Sequence, residues 1–141
     1  MGNIKAFLQP PVMDKTEEII ISDRFKGEDG KPAPFVIRVI DQETNDKITA
    51  ACTKRKKVNG QIIQELDQAR YSKELILACV VEPDFRDADM CSYYKVVNPL
   101  DVPGRMLSVG EYNKLVREVM KLNDIAVTDE DVEAVEDEIK N

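Results

Sequence analysis

The apolar run LILACVV occupies residues 75–81, and it is the strongest candidate for the buried centre of the fold. It ends a helical pattern that begins near Asp67 and stops before Pro83, because proline breaks the hydrogen bonding of a helix interior. A helix that is apolar on nearly every side must be surrounded by other elements. The sequence therefore predicts a helix over residues 67–81 at the centre of the fold.

Two stretches on its N-terminal side predict an antiparallel β-hairpin. Residues 17–22 and 34–40 are rich in β-branched side chains, and Asp29-Gly30 supplies a turn between them. The alternation in the second stretch places Phe35, Ile37 and Val39 on one face, which is the better candidate to face the core. Because a two-stranded hairpin is marginal alone, we expect it to pack on the helices.

A further helix is predicted over residues 42–57, with Asp41 as its N-cap. The predicted helix ends in four basic residues, whose positive charges would stabilise the negative C-terminal end of the helix dipole: Lys54, Arg55, Lys56 and Lys57. Contact of this group with phosphate, with an acidic partner or with the acidic C-terminal segment is an open alternative to a solvated helix end. Asn59-Gly60 then predicts a turn, with a small hairpin to residues 61–63 as one form of it.

Beyond Pro83 the chain is expected to be irregular or in short helical turns, and Pro99, Pro103 and Gly104 predict a loop. Ser108 and Glu111 have the spacing of a capping box at the start of a helix. That helix has apolar residues on one face at helical spacing: Tyr112, Leu115, Val116, Val119 and Leu122.

The charges divide the chain unevenly. The 141 residues have a net charge of −7, and residues 1–123 are neutral, so residues 124–141 carry the whole imbalance. We therefore predict an extended lead-in over residues 1–16, one α+β domain over residues 17–123, and an acidic, weakly docked C-terminal helix over residues 124–141. In this α+β fold a small antiparallel sheet packs on a mainly helical body.

The composition argues against most catalytic classes. Histidine is absent, and the three cysteines are widely spaced without a CxxC pair, so nucleophiles lack their usual activating base. No glycine-rich phosphate loop, apolar membrane-spanning run or export signal is visible in the sequence. Residues 1–123 have no net positive charge, which argues against binding to the phosphate backbone of a nucleic acid. The sequence predicts a soluble protein with no cofactor, nucleic-acid or membrane partner.

Two groups of side chains are candidates for binding. The carboxylates of Glu82, Asp84, Asp87 and Asp89 could hold a divalent cation, which would suit a small metal-dependent enzyme, although helix capping explains them more simply. The second group is a candidate contact surface for a protein partner, with partial burial as the alternative: Phe85, Met90, Tyr93, Tyr94 and Met106.

Two motifs resemble those of the XkdN-like phage tail assembly chaperones, which phages and prophage-like elements of Gram-positive bacteria encode. The first is EPDFRDA, residues 82–88, and the second is the leucine-to-tyrosine entry of the last long helix, residues 107–112. The resemblance extends over about residues 34–125 and leaves the acidic tail outside it. The motif residues are Glu82, Pro83, Asp84, Phe85, Asp87, Leu107, Gly110, Glu111 and Tyr112.

The resemblance implies a non-enzymatic factor in the bacterial cytoplasm that binds the tape measure protein during tail tube assembly and is absent from the mature particle. A structural or adaptor protein that stays in the tail is the alternative. Such genes commonly also yield a frameshifted, extended product that recruits tube protein. The codons of Ile139, Lys140 and Asn141 could form a run on which a ribosome slips, so we hypothesise that this chain is the short product. Whether the protein forms a homo-oligomer is left open by the sequence.

Overall fold

The computed structural model describes residues 3–11 and 15–125, and the fold is α+β. These residues form five strands: β1 (Thr16–Ile19), β2 (Phe35–Arg38), β3 (Thr53–Val58), β4 (Gln61–Leu66) and β5 (Val80–Glu82). They also form five α-helices: α1 (Gln42–Cys52), α2 (Gln68–Cys79), α3 (Ala88–Tyr93), α4 (Val102–Met106) and α5 (Val109–Leu122). Two 3-10 turns are formed by Ile4–Phe7 and Pro99–Asp101.

The first sheet has the order β1-β2-β5 with antiparallel pairing. Ile19 lies opposite Phe35, and Ile37 lies opposite Val80, so the predicted inward face of β2 is confirmed, with Phe35 and Ile37 buried. The sheet packs on the helices through this face, as is common for antiparallel sheets that have only one buried face. The predicted β1–β2 hairpin is therefore confirmed, with a third strand that the sequence did not indicate.

Helix α2 lies at the centre of the core, where it contacts α1 and α5. Leu75, Ile76, Leu77 and Cys79 on it are buried, which confirms the apolar run as the buried centre, except that Val81 at its end is 43% exposed. The helix ends at Cys79 rather than at residue 81, because β-branched Val80 and Val81 extend into β5 beside β2.

The helix predicted over residues 42–57 is wrong in its second half. Helix α1 begins after the N-cap Asp41 as expected, but it ends at Cys52. The basic residues 54–57 lie in β3, which pairs along its whole length with β4 across the turn at Asn59 and Gly60. Both turn residues have positive φ, as a tight two-residue hairpin turn requires, and this turn outweighs the helix propensity of the lysines.

The loop predicted across Pro99 and Pro103 also proves to be largely helical. Pro99 and Pro103 lie in the first turns of the 3-10 segment and of α4, where a missing N–H leaves no hydrogen bond unmade. Similarly, the lead-in predicted as extended contains the 3-10 turn Ile4–Phe7. Helix α5, with its capping box, forms where it was expected. The predicted acidic C-terminal helix lies outside the described residues, apart from Asp124 and Ile125.

Candidate functional site

The first motif, residues 82–88, builds the connection from β5 to α3. The Glu82–Pro83 peptide bond is cis, and the Phe85 ring is only 2% exposed in the core. Asp84 Oδ1 accepts a hydrogen bond from the backbone N–H of Arg86 at 3.0 Å, and Asp87 Oδ1 accepts one from Asp89 at 2.8 Å. Asp84 therefore stabilises a turn, and Asp87 is the N-cap of α3.

The acidic group predicted as a cation site does not converge on one point. Asp84 accepts from the backbone N–H of Arg86, and Asp87 accepts from those of Asp89 and Met90. Within residues 3–11 and 15–125, no cluster of three or more potential metal-ligating side chains is formed. The geometry therefore supplies no support for the metal-dependent alternative.

The second motif, residues 107–112, forms the corner between α4 and α5. Ser108 Oγ accepts from the Glu111 N–H at 3.2 Å, and Glu111 Oε1 accepts from the Ser108 N–H at 2.9 Å. Gly110 is exposed in this first turn, and a methyl group there would meet no atom within 4 Å outside the local helix backbone. Burial raises the pKa of Tyr112 to about 12, which fits a packing role for its ring.

Glu111 also binds Arg24 from the loop after β1. Arg24 donates from Nε to Glu111 Oε2 at 2.8 Å and from Nη2 to Oε1 at 2.7 Å, and Nη2 also donates to the Met106 carbonyl at 2.6 Å. The hydrogen bonds from Arg24, together with that from the Ser108 N–H, hold the pKa of Glu111 at about 2. The guanidinium lies 4.1 Å from the centre of the Phe25 ring. The second motif thus joins the β1 loop to both helices.

The five predicted partner-contact residues do not share one accessible face. Phe85 and Met106 belong to the core, and Met90 and Tyr94 are partly buried against it. Tyr93 is 78% exposed and meets Tyr94 edge-on, with 4.9 Å between the ring centres. Partner contact at these residues stays a prediction, which the geometry restricts to the last turn of α3.

A further exposed apolar side chain follows helix α3 along the chain. Lys95 has a positive φ, and the Val96 N–H donates to the Cys91 carbonyl at 3.0 Å, which turns the chain sharply after α3. Val97 beyond this turn is fully exposed. Val97 was not selected from the sequence, because the pair Val96-Val97 between Lys95 and Asn98 gives no periodic signal.

The β3–β4 hairpin exposes further apolar side chains. Ile62 is 70% exposed, Ile63 46% and Val58 43%. A surface depression of about 270 Å³ lies on it, lined by Lys54, Lys56, Glu65, Leu66, Asp67 and Gln68. The charges there pair with one another: Lys54 lies 3.1 Å from Asp67, and Lys56 lies 2.8 Å from Glu65. This depression consequently offers few free charges to a ligand.

The cysteines are placed as packing residues. Cys52 and Cys79 are buried, and burial raises the pKa of Cys79 to about 11, while Cys91 is partly exposed. A thiol with a raised pKa is a poor nucleophile. Among the described residues, no helix is long and apolar enough to cross a membrane.

Comparison with known proteins identifies the family. The model of the phage XkdN-like tail assembly chaperone proteins matches residues 4–140. This match includes the acidic C-terminal segment and so corrects the expectation that the tail lies outside the resemblance.

Two relatives from Bacillus subtilis strain 168 are similar to this chain. The phage-like element PBSX protein XkdN is 32% identical over 140 residues, covering 96% of this chain and 93% of its own. The uncharacterized protein YqbN is 32% identical over 126 residues, covering 88% and 83% respectively. The crystal structure of the protein YqbN superposes with a TM-score of 0.75 at 25% identity, covering 89% of this chain and 99% of that one. The chain belongs to the XkdN-like family of phage tail assembly chaperones.

Proposed function

We propose that this tail assembly chaperone binds the tape measure protein in the bacterial cytoplasm, assists assembly of the tail tube around it, and leaves before the tail is complete. The observation that supports binding through the body is the exposure of Tyr93, whose ring meets that of Tyr94 edge-on. Exposed aromatic side chains next to a packed core are typical anchors of protein interfaces. A long helical protein with apolar stripes would find such anchors complementary.

Coexpression with the tape measure protein of the same phage element tests this proposal. The chaperone should raise the soluble fraction of that protein and copurify with it. Tyr93→Ser should reduce copurification several-fold, because it removes the exposed ring without touching the core. Val58→Ser, which removes another exposed apolar side chain on the hairpin, is the matched control and should leave copurification unchanged. Unchanged solubility of the tape measure protein with the wild-type chaperone would refute the proposal.

Release before completion distinguishes the chaperone from a structural or adaptor protein. Mass spectrometry of purified tails should then lack this chain. Its presence in stoichiometric amounts would instead support the retained component.

The hypothesis that a longer, frameshifted product recruits tube protein is tested at the level of the gene. We expect a slippery run at the codons of Ile139, Lys140 and Asn141, followed by an open −1 frame. Other codons there, or a closed frame, would refute this part while leaving the binding proposal intact.

A further inference from the structure

The two faces of the β3–β4 hairpin differ in how their charges are satisfied. Side chains of residues that face each other across a strand pair project on the same side. Arg55 lies opposite Gln64 and Lys57 lies opposite Ile62, so these four side chains share one face, which we name the basic face. Lys54 and Lys56 project on the opposite face, which we name the paired face.

The paired face is internally neutralised. Lys54 and Lys56 form ion pairs with Asp67 and Glu65 at 3.1 and 2.8 Å. On the basic face, Arg55 and Lys57 have no carboxylate within salt-bridge distance among the residues that the structure describes. Beside these cations lies Ile62, with 70% of its surface exposed. The basic face is therefore suited to an acidic segment that also carries apolar side chains.

Residues 126–141 of the same chain have this chemistry. They contain seven carboxylates and one lysine, which gives them most of the protein's net charge of −7. Val132, Val135 and Ile139 follow one another at intervals of three and four residues. Acidic and apolar side chains thus alternate in a short segment, as the basic face requires.

The segment is long enough to reach the hairpin. The Ile40 N–H donates to Asn123 Oδ1 at 2.9 Å, so the end of α5 lies beside the residues that precede α1. The 11 residues of α1 span about 16 Å, and a six-residue strand spans about 20 Å. Sixteen residues reach about 24 Å as a helix and about 50 Å when extended. The far end of the basic face therefore lies at most about 36 Å from Ile40, and a largely extended segment covers this distance.

We propose that the acidic C-terminal segment, residues 126–141, docks on the basic face of the β3–β4 hairpin of its own chain through Arg55, Lys57 and Ile62. This contact is a property of the isolated chain and does not depend on the proposed binding of a tape measure protein. The acidic segment, which carries most of the net charge, thereby meets the cations of the basic face.

Carbodiimide cross-linking of the full-length protein, followed by mass spectrometry, tests the contact. The reaction joins a carboxylate to a lysine amine with loss of water, so Lys57 should become linked to a residue between Asp129 and Glu138. The yield should fall several-fold in 0.5 M NaCl, because salt screens exposed charges. The ion pair of Lys56 with Glu65, 2.8 Å apart, is the internal positive control. Cross-linking of that pair without any link from Lys57 to the segment would overturn the proposal.

Two neighbouring variants separate the faces of the hairpin. Ile62→Ser on the basic face should reduce the Lys57 link several-fold, whereas Ile63→Ser on the paired face should leave it unchanged. An equal effect of both variants would contradict docking on one face. In a mixture of ¹⁵N-labelled and unlabelled protein, docking within one chain yields no mixed-isotope link. Mixed-isotope links as the main product would overturn it in favour of a contact between copies.

Discussion

Replacing Glu111 with glutamine tests whether the second motif stabilises this fold through charge. The carboxylate receives two hydrogen bonds from Arg24 and one from the Ser108 N–H. Glutamine has the same size and keeps an acceptor oxygen for the cap, but it removes the negative charge that pairs with the guanidinium. The substitution therefore isolates the electrostatic part of a contact between residues that are 87 positions apart.

The magnitude follows from the pKa of Glu111. A fall from the usual 4.5 to about 2 corresponds to an upper limit of about 3 kcal/mol, at 1.36 kcal/mol per unit. The Glu111 side chain is only 12% exposed, but that of Arg24 is 49% exposed, so solvent screens the pair. We expect Glu111→Gln to lower the free energy of unfolding by about 1–2 kcal/mol at pH 7.

The direction of the pH dependence is fixed by the lowered pKa. A carboxyl whose pKa is lower in the folded state stabilises the protein above its unfolded pKa and ceases to do so as the pH falls through the folded value. The difference between wild type and Glu111→Gln should thus be full above about pH 5.5 and shrink by about half at pH 3.

Urea unfolding, followed by circular dichroism between pH 7 and pH 3, measures both quantities. Glu118→Gln is the matched control, because Glu118 lies on the same helix and has no ion pair among the described residues. Equal stability of the two variants at pH 7 would refute the reasoning, as would a loss in Glu111→Gln that stays constant across the pH range.

Three further predictions concern the core and the helix ends. With an alkylating agent at pH 8 the native protein should react first at Cys91, while Cys52 and Cys79 react only in denaturant, because burial shields both thiols; equal native rates would contradict this. Asn123→Ala should cost about 1–3 kcal/mol in urea unfolding, since it leaves the Ile40 N–H without its acceptor at 2.9 Å; a loss below about 0.5 kcal/mol would show that water replaces the contact. Gly110→Ala should raise stability by about 0.5 kcal/mol, because a methyl group has free space there and alanine has the higher helix propensity; a clear destabilisation in thermal unfolding would contradict it.

Local chemistry in the sequence was sufficient to predict where several elements begin. Asp41 and Asp67 accept from backbone amides at the starts of α1 and α2, and Ser108 with Glu111 forms the reciprocal cap of α5. Each signal acts within three residues, so it operates before any tertiary contact exists. The same holds for the turn at Asn59-Gly60, whose backbone conformation is favoured by those two residues themselves.

Predictions failed where a partner distant in sequence decided the outcome. Val80 and Val81 continue an apolar helical pattern, but pairing with β2 draws them into a strand. Residues 54–57 have good helix formers, yet antiparallel pairing with β4 satisfies their backbone along six residue pairs. Intrinsic propensities differ by less than about 1 kcal/mol per residue, and such pairing readily exceeds them.

Sequence pattern alone was enough to predict the α+β class, the buried helical residues 75–79, the capped helix α5 and the family motifs. The contacts of the charged motif residues, in contrast, follow from the folded arrangement of distant segments. Arg24 carries no sequence signal that connects it to Glu111, and Arg55 and Lys57 differ from Lys54 and Lys56 only after strand pairing sorts them onto opposite faces. Burial and capping depend on neighbours along the chain, whereas charge pairing depends on which distant groups the fold brings within a few ångströms.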